Sequence, residues 1–64
     1  MPRELFDPDE FMEIMERAIE CRVKRKGDVV KLKLRTKHML YTLKVSPEEA
    51  EVILSRVTVP VVEV

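Results

Sequence analysis

Four groups of residues in this chain could do chemistry. They are one histidine, His38; one cysteine, Cys21; a string of carboxylates between Asp7 and Glu20; and a run of lysines and arginines from Arg22 to Lys44. His38 could act as a general base only beside an oriented partner and within a pocket, and its neighbours Lys37 and Met39 supply neither. It reads as a loop residue touching solvent or a polyanion. Cys21 could be a nucleophile, but it lies in an alternating strand-like run, where a small apolar packing residue is the better fit. One Cys and one His do not make a metal set. The carboxylates are accounted for by helix capping and a solvated helix face, and Met12 and Met15 read as core filler. What remains is the basic run, and its chemistry is attraction to phosphate.

The chain as a whole gives little room for anything more elaborate. Its 64 residues form one domain, residues 1–64, with a small core. A lone cysteine excludes an internal disulfide and fits a reducing compartment. No apolar run approaches the length of a membrane span, and Met1-Pro2-Arg3-Glu4 lacks an apolar signal region. Twelve basic and twelve acidic residues cancel to a net charge of zero, which taken alone argues against nucleic acid. The distribution says otherwise. From Glu4 to Glu20 there are seven acids and one base, Arg17; from Cys21 to Val45 nine bases and one acid, Asp28; from Ser46 to Val64 one base and four acids. Asn, Gln and Trp are absent, and a shortage of thermolabile amides beside abundant Lys, Arg and Glu is common in proteins of hot-living organisms.

Local signals place these blocks on elements. Asp7-Pro8-Asp9-Glu10 is a helix start, with an aspartate cap, proline at the first helical position and glutamate where a capping box wants it. Phe11, Ile14, Met15 and Ala18 recur at helical spacing, predicting a helix over about residues 8–19. Glu13 and Arg17 then form an i,i+4 pair on its wet side. The alternating run from Cys21 to Lys26 is followed by Gly27-Asp28, a two-residue hairpin turn. That turn sets the register: Lys24 opposite Lys31, Arg22 opposite Lys33, Val23 opposite Leu32, Cys21 opposite Leu34. A second turn at Lys37-His38 leads into Met39–Val45, with Leu34 facing Tyr41, Leu32 facing Leu43, Lys33 facing Thr42 and Lys31 facing Lys44. Ser46-Pro47-Glu48-Glu49 repeats the helix-start signal. Ala50, Ile53, Leu54 and Val57 supply that second helix with an apolar side. Val59–Val64 ends the chain as a tail strand, confined by Pro60 to an edge.

The predicted class is therefore α+β: a two-layer α-β-β-β-α fold with a three-stranded antiparallel meander, both helices on one face, and a C-terminal tail strand. The face away from the helices carries Arg22, Lys24, Lys26, Lys31, Lys33, Arg35 and Lys44. Like charges opposed across a sheet are destabilising, and lysines that merely guard edges do not explain basic residues along a central strand. A polyanion would turn the repulsion into attraction and release counterions. Aromatics for stacking bases are missing from this face, since Phe6 and Phe11 lie outside the sheet and Tyr41 falls on the apolar side. Contacts would go to phosphates and sugars of a folded RNA.

Taken in order, these features resemble the eukaryotic/archaeal-type large-subunit ribosomal protein family thirty-eight (the L38e family). The resemblance is carried by the start Met1-Pro2-Arg3-Glu4, the helix led by Phe11, the basic hairpin from Val23 to Arg35, and Leu40-Tyr41-Thr42-Leu43 followed by the Ser46 cap. It covers nearly the whole chain. It implies a structural constituent of the large subunit in cytoplasmic ribosomes, bound to ribosomal RNA and neighbouring ribosomal proteins. It also implies no catalysis, cofactor, membrane or small-molecule substrate. By position, Pro2, Arg3, the hairpin from Arg22 to Lys37 and the turn with His38 become RNA-contacting candidates. The sequence departs from the family in an acidic second helix (Glu48, Glu49, Glu51), a shorter tail and a trimmed Gly27-Asp28 turn, so the second helix is assigned no RNA contact. Together with the missing amides, the resemblance points to an archaeal source. A different class of function remains open on the residues: a protein-interaction module whose basic sheet docks an acidic partner or dimerises. The α-β-β-β-α order is also similar to that of the small proteins that bind signal-recognition-particle RNA as a pair. Steep loss of affinity with salt separates RNA binding from protein docking.

Overall fold

The basic hairpin organises the fold. The structure is a computed structural model that describes residues 2–64; Met1, named above at the head of the chain, and the side chain of Pro2 lie outside what is described. Strands β2 (Glu20–Lys26) and β3 (Val29–Arg35) pair antiparallel across Gly27-Asp28, in the register the turn predicts. Gly27 takes φ 60°, and no other described residue has positive φ. Glycine at the first central position is the pattern of a type II′ turn, whose twist matches that of the strands it joins. Strand β4 (Leu40–Val45) continues the meander against β3, with Leu34 beside Tyr41, Leu32 beside Leu43 and Lys31 beside Lys44.

The meander is the middle of a larger sheet. A strand absent from the prediction, β1 (Pro2–Leu5), pairs parallel with β4, and the tail forms β5 (Val61–Glu63), parallel with β2. The five strands run in the order β1-β4-β3-β2-β5. Pro60 precedes β5, so its missing N–H costs no ladder bond, and its carbonyl accepts from the Cys21 amide at 2.9 Å. Helix α1 (Pro8–Met15) connects β1 to β2, and α2 (Pro47–Leu54) connects β4 to β5. Both connections cross two strands in the same direction along the sheet. A single handedness of crossover therefore puts both helices on one face.

Both N-caps form where the sequence places them, but among the described residues neither Glu10 nor Glu49 returns the bond that would complete a capping box. Asp7 accepts a hydrogen bond from the Asp9 amide at 3.0 Å, and Ser46 accepts one from the Glu49 amide at 3.3 Å. The first helix stops earlier than residue 19. After Met15 the Arg17 and Ala18 amides donate to the Ile14 and Met15 carbonyls, tighter turns that close the helix, and the Ile19 amide donates to the Arg35 carbonyl at 2.6 Å. Chain entering a ladder with β3 cannot also continue a helix. Ile19, at the edge of the helical stripe, is accordingly exposed.

The core lies between helices and sheet. Phe11, Ile14 and Met15 of α1, with Ala50 and Ile53 of α2, cover Cys21, Val23, Val30, Leu32, Leu34, Tyr41, Leu43 and Val45, and Leu5 from β1 extends this floor. Cys21 is buried, and burial pushes its thiol up to about 11. A thiol held protonated is packing, as expected, and a poor nucleophile.

Candidate nucleic-acid interface

A strand alternates its side chains between faces, so every core residue named above has a neighbour on the open face. Arg22, Lys24 and Lys26 come from β2, Lys31, Lys33 and Arg35 from β3, and Thr42 and Lys44 from β4. They stand in rows. Lys24, Lys31 and Lys44 form one row across three adjacent strands, and Arg22, Lys33 and Thr42 the next. Neighbouring strands are about 4.8 Å apart, so the three lysines of the first row are attached within about 10 Å of one another. Lys31 and Lys33 on the central strand are half-buried, their aliphatic stems covered by neighbours while the ammonium groups stay in water. No helix packs on this side.

Two carboxylates share the face, and the sequence reading had placed neither there. Parallel pairing puts Glu4 of β1 beside Thr42, where it meets the Lys44 ammonium at 3.4 Å. Glu20, at the start of β2, meets Arg22 at 3.1 Å and Arg35 at 3.7 Å. Among the described residues, Lys24, Lys26, Lys31 and Lys33 have no such partner. Five positive charges remain uncompensated when seven bases face two acids. Arg25, one position out of phase, lies on the helix side and bonds Glu63 at 3.0 Å and Glu51 of α2 at 3.8 Å. Of the three glutamates of the second helix, Glu51 is thus paired within the molecule.

At one end of the sheet the open face deepens into a concavity of about 530 Å³, lined by Arg22, Lys24, Lys33, Arg35, Thr36, Lys37, His38, Met39, Leu40 and Val64. The β3–β4 loop walls it. Thr36 holds this loop closed: its hydroxyl donates to the Met39 carbonyl at 2.9 Å and accepts from the Met39 amide at 3.0 Å, and its own amide donates to the same carbonyl at 2.9 Å. Lys37 and His38 therefore project from a loop already in shape. Pre-organisation of this kind lowers the entropy lost on binding.

The sequence-predicted residues fall into three places. Arg22, Lys24, Lys26, Lys31, Lys33, Arg35 and Lys44 share the open face, and Lys37 and His38 stand at its rim. Arg3 does not join them: its register with Tyr41 places it on the helix side. Pro2 is at the edge of the sheet, in β1. Nothing in the local sequence assigns β1 a face, because that depends on the strand it pairs with. Among the described residues no three His, Cys, Asp or Glu side chains gather as metal ligands would.

The sequence model of the ribosomal L38e protein family matches residues 1–61. A protein of Aeropyrum pernix, named large ribosomal subunit protein eL38, is 67% identical over 54 residues, spanning 83% of this chain and 81% of its own length.

Proposed function

Because this chain belongs to the ribosomal L38e protein family, we propose that it binds large-subunit ribosomal RNA by laying its open, cationic sheet face and the rim of the β3–β4 loop against the phosphate backbone. Membership makes the chain a structural constituent of the ribosome and not an enzyme. The observation that carries the interface is the row Lys24–Lys31–Lys44, three like charges side by side on a face no helix covers. In isolation each opposed pair costs stability, roughly 0.2–1 kcal/mol. A small domain has only about 5 kcal/mol or somewhat more to draw on. Against a phosphate backbone the same row becomes an array of matched charges.

The chemistry is positioning. Lysine is a compact charge on a flexible stem and suits phosphates rather than base edges. No aromatic ring stands on the open face of β2, β3 or β4 to stack a base, so recognition by those strands would follow RNA shape. Arg22, Lys24, Lys26, Lys31, Lys33, Arg35 and Lys44 are the proposed contacts of the sheet, and Lys37 and His38 those of the loop. Pro2 and Arg3 would meet RNA only if it wraps the β1 edge. Neighbouring ribosomal proteins are the other expected partners, and the acidic helix side is available to them.

The test is direct. Protein-free large-subunit ribosomal RNA from Aeropyrum pernix, titrated with this chain by filter binding, should show a log–log salt slope of about −3 to −5, as expected for four to six phosphate contacts. Lys31→Glu with Lys33→Glu should weaken binding at least about a hundredfold at moderate salt while circular dichroism stays native. Wild-type affinity in the double variant would show that this face is not the contact.

A further inference from the structure

We infer that Arg17 is a second phosphate contact, on the helix side, so that the RNA takes hold of the Thr36–Met39 loop from both faces of the sheet. This rests on the RNA-binding reading above and adds a site to it. Arg17 is the one base between Glu4 and Glu20, and on a helix through residue 19 it would pair with Glu13. The structure removes that explanation. Helix α1 ends at Met15, Arg17 lies in the turn beyond it, and no ion pair joins Arg17 to a carboxylate among the described residues.

Arg17 instead borders a concavity of about 420 Å³ with Thr36, Lys37, His38, Met39 and Tyr41, and no carboxylate contributes to its lining. Two fixed backbone segments hold it. The Ile19 amide bonds the Arg35 carbonyl, tying the Arg17 turn to the base of the β3–β4 loop, and Thr36 locks the loop itself. Tyr41 is nine-tenths buried, yet its hydroxyl has no hydrogen-bond partner among the described residues. Among the described residues no side-chain polar atom is both buried and unsatisfied, so that hydroxyl is open to water. An arginine fork, a lysine, and a tyrosine hydroxyl that can pair with a ribose 2′-OH make a site for one backbone phosphate and its sugar. Lys37 and His38 border this concavity and the one on the open face. The loop is therefore a wedge with a cationic hollow on each side.

Arg17→Ala in the full chain tests this with the same ribosomal RNA. Affinity should fall about tenfold, the loss of one charge-assisted contact. The salt slope should become shallower by about 0.7–0.9. Hydroxyl-radical footprinting should lose protection over one backbone segment, different from the one lost in Lys31→Glu with Lys33→Glu. The melting temperature of the free protein should not change. If Arg17→Ala binds with wild-type affinity and slope while the double variant fails, the second contact is refuted and the sheet-face interface stands; if both bind as wild type, both are refuted. Weaker binding at an unchanged slope would make Arg17 a structural residue and also overturn the inference.

Discussion

Val23, Leu32 and Leu43 stand in one row across the sheet, and Lys24, Lys31 and Lys44 in the next row, on the opposite face. The backbone of the two rows is the same. One row is sealed by Phe11, Ile14 and Ile53 and excludes water; the other has nothing over it. A shift of one residue in register would exchange them, putting lysines into the core and leucines into water. The apolar row therefore supplies the stability and fixes the register, and the cationic row uses that rigidity to hold charges that repel each other. A small protein can carry so much unmatched charge because the destabilising residues are confined to the face that does no packing.

Four variants break or sharpen this contrast. The largest effect belongs to the sealed side: Leu32, fully buried on the central strand, should lose about 2–5 kcal/mol on Leu32→Ala, enough to leave much of the domain unfolded in a urea titration. Next comes Cys21. Its thiol sits near 11 when folded, raised by burial from an ordinary value of 9.0. Below pH 9 the thiol is protonated in both states and its contribution is complete. Between pH 9 and 11 the unfolded chain releases the proton and the folded one keeps it. The stability advantage of wild type over Cys21→Ala should therefore shrink as pH rises through that window, by at most on the order of 2 kcal/mol. Parallel denaturation curves at pH 8 and pH 11 would show it.

On the open side the sign should reverse. Lys31→Glu with Lys33→Glu replaces three repulsive pairings, Lys24–Lys31, Lys31–Lys44 and Arg22–Lys33, with attractive ones. The free protein should gain roughly 1 kcal/mol even as RNA binding collapses, and a lower melting temperature would contradict the division of labour between the faces. Smallest of all is Glu4→Gln. The Glu4–Lys44 pair is exposed, so stability should move by less than about 0.5 kcal/mol. RNA affinity should nonetheless rise a few-fold, because Lys44 no longer shares its charge with a carboxylate.

How much of this was legible beforehand varies with distance along the chain. The hairpin, the second turn and both helix starts rest on residues within a few positions of each other: Gly27-Asp28, Asp7-Pro8, Ser46-Pro47 and the alternation around Lys31. Their registers and caps are found where those signals place them. The end of α1 was not legible, because Ala18 and Ile19 extend the helical stripe, and it is the bond from Ile19 to Arg35 that stops it. Strand β1 was missed for a related reason. Pro2–Leu5 has no alternating apolar pattern, and its partner begins at Leu40, thirty-eight residues later.

Local pattern and turn chemistry thus settled which side chains point together along each strand, because side-chain direction follows from the backbone within a few residues. They settled the lysine rows and the apolar floor beneath the helices. Which carboxylates would come to temper the cationic face, where Arg3 would stand and whether Arg17 would keep Glu13 were left to the packed molecule. Each of these turns on a parallel pairing or a competing backbone bond between distant segments. Such contacts have no local signature, since they are chosen only when the whole sheet closes.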